Sequence, residues 1–159
     1  MYQCGDKVVY PMYGAGVIDE VEEKVVDGNP EVYYHVSLPV GNLRLTLSDR
    51  KSAVAGLRPV LDEAELLAQL AGVSKKPVVF NSNWNQRHKE NLEKMKTGRL
   101  DEVADVYRRL ILRERERSLS SAEKKLLNTA RQILVSEMSY VLAVDWEAAE
   151  QTLNRLLLG

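Results

Sequence analysis

The sequence predicts an α+β chain in two domains: a small N-terminal β-barrel, then an all-α helical domain. Three observations predict it. Residues 1–60 carry short runs of β-branched and aromatic residues broken by Gly, Asn, Asp and Pro. Residues 61–159 carry apolar residues at helical spacing instead. Asp, Asn or Ser stands where several of those helical patterns begin, as helix caps do.

The β elements follow in order. Val8-Val9-Tyr10 is strand-like and ends at Pro11. Gly14-Ala15-Gly16 permits a bend, Val17-Ile18 resumes a strand, and Val21 to Val26 continue it. Asp27-Gly28-Asn29-Pro30 is a strong turn signal, because Asp and Gly tolerate positive φ. Val32 to Leu38 form the next strand, and Gly41-Asn42 marks another reversal. Leu43, Leu45 and Leu47 alternate with Arg44 and Thr46, the period of a half-buried strand. Several short strands within 60 residues fit an SH3-like or Tudor-like barrel.

The helices come next. Asp62 caps a short one through Leu70, and Gly72 is expected to end it. Ser74 to Pro77 read as a break. A second helix runs from about Asn83 to Thr97, with Gly98 as its stop. Leu100, Val103, Ala104, Tyr107, Leu110 and Ile111 make the apolar stripe of a third. Ser120 and Glu123 have capping-box spacing and open a fourth, with Leu126, Leu127, Ala130, Ile133, Leu134 and Val141 inward. Asp145 caps a last helix carrying Ala149, Leu153, Leu156 and Leu157. Helices joined by two to four residues should pack on their sequence neighbours.

Composition narrows the chemistry. The net charge is −1, with one cysteine and two histidines. Internal disulfides are excluded, and a structural zinc site lacks its ligands. A reducing cytoplasm is the expected setting, and no apolar run is long enough for a membrane span. Gly14-Ala15-Gly16 lacks the third glycine of a dinucleotide fingerprint and the Gly-Lys-Ser/Thr of a phosphate loop. Glu20, Glu22 and Glu23 have no histidine near them in sequence, so no acid-base pair is read there. No catalytic residue, metal site or cofactor is expected.

Charge is unevenly spread. Residues 1–58 carry a net −2, whereas residues 83–131 hold thirteen basic and eight acidic side chains, a net +5. Solvated helix faces with pairs such as Glu90 and Lys94 account for this, and so does a phosphate-facing patch. Arg108, Arg109, Arg113, Arg115 and Arg117 end the third helix, and Lys124 and Lys125 lie near the start of the fourth. Residues 81–91 are polar except for Trp84. An exposed aromatic among cations suits base stacking or groove wedging. Positions 84, 88, 92 and 95 also share one helix face, and the pattern alone favours a core role for Trp84. Trp146, with Ala149 and Leu153 at helical spacing and no basic cluster, is expected in the core.

These residues resemble the CarD/CdnL-type bacterial transcription regulators along nearly the whole chain. Gly5-Asp6-Lys7-Val8-Val9-Tyr10-Pro11 with Gly14-Ala15-Gly16 is similar to the opening of the family's polymerase-interacting domain. The run from Asn83 to Lys94 resembles the start of its DNA-binding domain. Arg117 to Lys125 and Ala130 to Leu134 resemble its later helices.

The resemblance implies a Tudor-like RNA-polymerase-interacting domain over residues 1–60 and a helical DNA-binding domain over residues 61–159. The first would dock on the polymerase β subunit, with Lys24, Val26 and Thr46 at the family's contact positions. The family's arginine is replaced by Thr46 here, and Arg44, two residues away on the same strand face, is a substitute. The second would sit at the upstream edge of the transcription bubble, near the promoter −10 element, with Trp84 wedged into the minor groove. Arg87, Lys89, Lys124 and its neighbour Lys125 would face DNA. The implied protein is a monomer and not an enzyme. The alternative is a polymerase-bound scaffold whose helices meet another protein instead of DNA; an unrecognised hydrolase lacks any visible pocket signal.

Overall fold

The computed structural model describes residues 1–159. Five strands form one antiparallel sheet: β1 Lys7–Tyr10, β2 Gly14–Val26, β3 Asn29–Leu38, β4 Leu43–Ser48 and β5 Arg58–Pro59. Their order is β4-β3-β2-β1-β5, so β4 and β5 are the edges and no ladder joins them. The two pieces expected around residues 14–26 are one long strand, bent by a bulge between Ile18 and Glu20. Val8, Ile18, Tyr34, Val36 and Leu38 fill the inner face.

Two elements escaped the sequence pattern. Helix α1, Asp49–Ala55, follows β4 directly, with Ser48 accepting the Lys51 N–H as its cap and Gly56 (φ 81°) ending it. Strand β5 is two residues long and pairs with β1 through Val8 and Val9.

The helical domain comprises α2 Glu63–Ser74, α3 Trp84–Lys96, α4 Leu100–Glu116, α5 Ser121–Leu142 and α6 Trp146–Leu158. The expected caps Asp62, Ser120 and Asp145 are present, and Asn83 caps α3 as well; each accepts the N–H three residues on. Ser120 and Glu123 close the capping box. Gly72 does not stop α2, which runs on to Ser74, because nothing around it requires the left-handed turn that ends a helix. Helices α3, α4, α5 and α6 pack on their sequence neighbours, but α2 packs on α4 and α6. The connection over residues 75–83 is long enough to let it skip α3. Leu66, Met95, Val103, Tyr107, Leu134, Met138 and Leu153 are among the buried centre.

Trp146 is not core: it is 40% exposed. It is the first residue of α6, directly after the cap Asp145.

The sheet and the helices meet along α5. Ser136 accepts the Ala15 N–H at 2.9 Å. Glu137 receives both Arg58 terminal nitrogens, at 2.8 and 2.7 Å, and the Leu61 N–H at 2.9 Å. Arg58 also donates Nε–H to the Gly98 carbonyl at 2.9 Å. One guanidinium thereby ties β5 to α5 and to the turn between α3 and α4.

Candidate functional site

Helix α3 begins with its largest ring uncovered. Asn83 caps it, and Trp84, the first helical residue, is 41% exposed. The indole N–H donates to Ser120 Oγ at 3.1 Å, which ties the start of α3 to the start of α5. One face of the ring lies nearly parallel to the His88 imidazole, with centroids 5.4 Å apart and planes 6° apart.

The buried face of α3 is not 84/88/92/95 but Arg87, Asn91 and Met95. Polar residues at two of these positions hid that face from a hydrophobicity pattern. Arg87 therefore does not face DNA as expected; only 7% of it is exposed. Its Nε–H donates to Glu123 at 3.1 Å, and it donates to the Asn81 carbonyl at 2.8 Å. A guanidinium taken out of water needs such partners, and these leave little of it for phosphate. Lys89, Lys124 and Lys125 are exposed as expected, and none lies within ion-pair distance of a carboxylate. The start of α3 thus carries one exposed indole, and three exposed ammonium groups without ion pairs lie on α3 and near the start of α5.

Two buried carboxylates brace α3, Glu123 near its start and Asp105 near its end. Burial raises the Glu123 carboxyl, but hydrogen bonds from Arg87 and from the Ser120 backbone, with the Arg87 charge, outweigh it and hold the group below its ordinary value. Burial likewise raises Asp105, and the Lys94 hydrogen bond with the Arg109 and Lys94 charges brings it below its ordinary value. Asp105 receives Lys94, and Arg109 at 3.0 Å. Both groups bind protons less readily folded than unfolded, so their contribution is complete above the unfolded pKa, near 4. It is lost as pH falls through the lower folded values. Chemical unfolding from pH 7 to 2 should show a steep loss of stability below about pH 4, and Asp105→Asn should flatten it.

A second group of residues lies on the outer face of the sheet. Register places Arg44 beside Ser37, Thr46 beside His35, His35 beside Glu20, and Lys24 beside Glu31. Lys24, Val26, Arg44 and Thr46 therefore share one face, as alternation from β2 and β4 requires. Lys24 Nζ stands 5.2 Å from the Tyr33 ring centroid and 3.8 Å from Glu22. Arg44 lies 3.7 Å from Glu20 and 3.9 Å from Asp19. These exposed pairs hold their partners loosely.

Glu22 does have a histidine neighbour, contrary to the reading from sequence separation, because strand pairing carries His35 to it. His35 Nε2 meets Glu22 at 2.9 Å, and Nδ1 meets Thr46 Oγ1 at 3.0 Å. The His35 hydrogen bond, against a smaller effect of burial, holds the Glu22 carboxyl below its ordinary value. Glu20, Glu22 and His35 offer ligand atoms within 4.8 Å of one another. Both imidazole nitrogens are already engaged, and Arg44 and Lys24 stand against the carboxylates, so the group is a polar ladder across the sheet. No helix is long and apolar enough to cross a membrane.

Comparison with known proteins adds to this geometry. Residues 2–60 match the family described as the CarD-like/TRCF RID domain, and residues 68–154 match the family described as CarD, C-terminal domain. The chain is 33% identical over 144 residues to the Bacillus subtilis (strain 168) protein named "Putative transcription factor YdeB", covering 91% of this chain and 94% of that one. The matches divide the chain where the sheet gives way to helices, and both halves of the family pattern are present in order. The chain belongs to the CarD-like transcription factors, a family of non-enzymatic regulators that carry an RNA-polymerase-interacting domain.

Proposed function

We propose that the protein docks on the RNA polymerase β subunit through the outer sheet face and holds promoter DNA open with Trp84. Lys24, Val26, Arg44 and Thr46 form the docking face. Lys89, Lys124 and Lys125 hold phosphates beside the upstream edge of the bubble, near the −10 element, while the indole enters the minor groove. The protein acts in the cytoplasm as a monomer.

The observation that carries this reading is Trp84: an indole 41% exposed and oriented by the Ser120 hydroxyl. A wedge acts by differential affinity. Unstacked, widened DNA accepts the ring and closed duplex does not, so binding shifts the population toward the open complex. Three lysines supply few phosphate contacts, so free DNA is bound weakly and with a shallow salt dependence. Polymerase docking then supplies the local concentration that DNA affinity lacks.

One experiment tests both halves: the lifetime of open promoter complexes with polymerase alone, with wild-type protein, with Trp84→Ala and with Arg44→Glu. Wild type lengthens the lifetime. Trp84→Ala abolishes the effect while polymerase binding persists and the protein stays folded, with a stability loss below the roughly 3–5 kcal/mol of a fully buried aromatic. Arg44→Glu abolishes it by weakening polymerase binding. A Trp84→Ala protein that lengthens the lifetime as wild type does would sink the wedge and turn the helical domain toward a protein partner.

A further inference from the structure

We infer that His88 and Ser120 are positioning residues for Trp84, holding the indole as a pre-set plate instead of a free side chain. The inference rests on the wedge reading and deepens it.

The hydrogen bonds around Ser120 leave its hydroxyl no freedom. It accepts the indole N–H at 3.1 Å and the Glu123 N–H at 3.1 Å, and it faces Glu123 Oε1 at 3.2 Å. A hydroxyl has one proton and two lone pairs, so the proton goes to the carboxylate and both lone pairs are filled. Glu123 is itself fixed by Arg87, and Arg87 by the Asn81 carbonyl. An exposed ring is thereby linked by consecutive hydrogen bonds to a buried ion pair.

His88 covers one face of the ring. It stands one helical turn after Trp84, where side chains four residues apart meet. Its ring is 5.4 Å from the indole at an angle of 6°. Its Nδ1 is buried and has no hydrogen-bond partner, so stacking and not hydrogen bonding by that nitrogen accounts for the ring's placement. A side chain ordered before binding does not lose its rotational freedom on entering the groove. Freeing it weakens binding roughly two- to tenfold.

The test uses the full chain carrying Trp146→Phe, which leaves Trp84 as the single tryptophan. Time-resolved fluorescence anisotropy of that protein should show tumbling of the whole molecule and no fast local component. His88→Ala and Ser120→Ala should each add a nanosecond component, and His88→Phe, which restores a flat ring, should remove it. With polymerase and promoter, His88→Ala should shorten the added open-complex lifetime roughly two- to tenfold, and His88→Phe should recover it, with polymerase affinity constant throughout. An indole that stays rigid in both alanine variants, or a lifetime that ignores them while responding to Trp84→Ala, overturns the inference. If Trp84→Ala itself leaves the lifetime unchanged, the wedge reading falls, and the anisotropy still decides whether the ring is held.

Discussion

Glu137→Ala should lower the unfolding free energy by about 3–5 kcal/mol, the range for breaking a buried ion pair from one side. Glu137 has no exposed surface, and its carboxylate takes two Arg58 nitrogens and the Leu61 N–H. Alanine would leave a mostly buried guanidinium and a backbone donor without acceptors. The loss should fall on the whole molecule, since Arg58 belongs to β5 and Glu137 to α5. Replacing both partners together, as Arg58→Met with Glu137→Leu, should recover much of the stability, because no charge is then stranded. The exposed Arg99–Asp101 pair provides the contrast: Asp101→Ala should cost under about 1 kcal/mol. Urea unfolding of the three proteins decides it. A Glu137→Ala loss as small as that of Asp101→Ala would mean that the two domains do not depend on this contact.

The same pair shows where reading the sequence stops. Asp62, Ser120 and Asp145 are legible as caps because a cap acts on residues three positions away. Strand alternation likewise put Arg44 and Thr46 on one face. Glu137 and Arg58 are 79 residues apart, Ser120 and Trp84 are 36 apart, and Ala15 and Ser136 are 121 apart. No local period encodes such partners. Arg87 was misread for this reason: as a sequence it is one more cation beside Trp84, and its burial depends on Glu123 arriving from α5. His35 and Glu22 met only through strand register. Strand β5 is too short to carry a pattern, and its two residues pair because the chain returns past β1 after α1. The exposure of Trp84 rested on resemblance, since helical spacing alone allowed both readings. Trp146 shows the limit from the other side: its spacing matches the core stripe, but at the first position of α6 it is exposed.

Two glycines read alike as punctuation should respond to alanine with opposite signs. A Cβ on Gly16 would lie 2.3 Å from the Ser37 carbonyl oxygen and 2.7 Å from Leu38 Cδ2. The first neighbour is backbone of β3, held between β2 and β4, so it has little room to retreat. Gly16→Ala should cost about 3 kcal/mol, the upper part of the range for overpacking. Gly72 lies inside α2, is exposed, and has nothing within 4 Å of where its Cβ would stand. Gly72→Ala should stabilise by about 0.5–1 kcal/mol, because alanine loses less backbone freedom in a helix. Chemical unfolding of each single variant measures both signs, and a Gly16→Ala cost below about 1 kcal/mol would mean that β3 can yield. The two variants should also separate in function. Forcing β2 away from β3 moves Lys24 and Val26 relative to Arg44 and Thr46, which strand pairing through β3 sets on one face. Gly16→Ala should therefore weaken polymerase binding even where the protein remains folded. Gly72→Ala, on a helix remote from that sheet face in the chain and outside its hydrogen-bond ladder, should leave it unchanged.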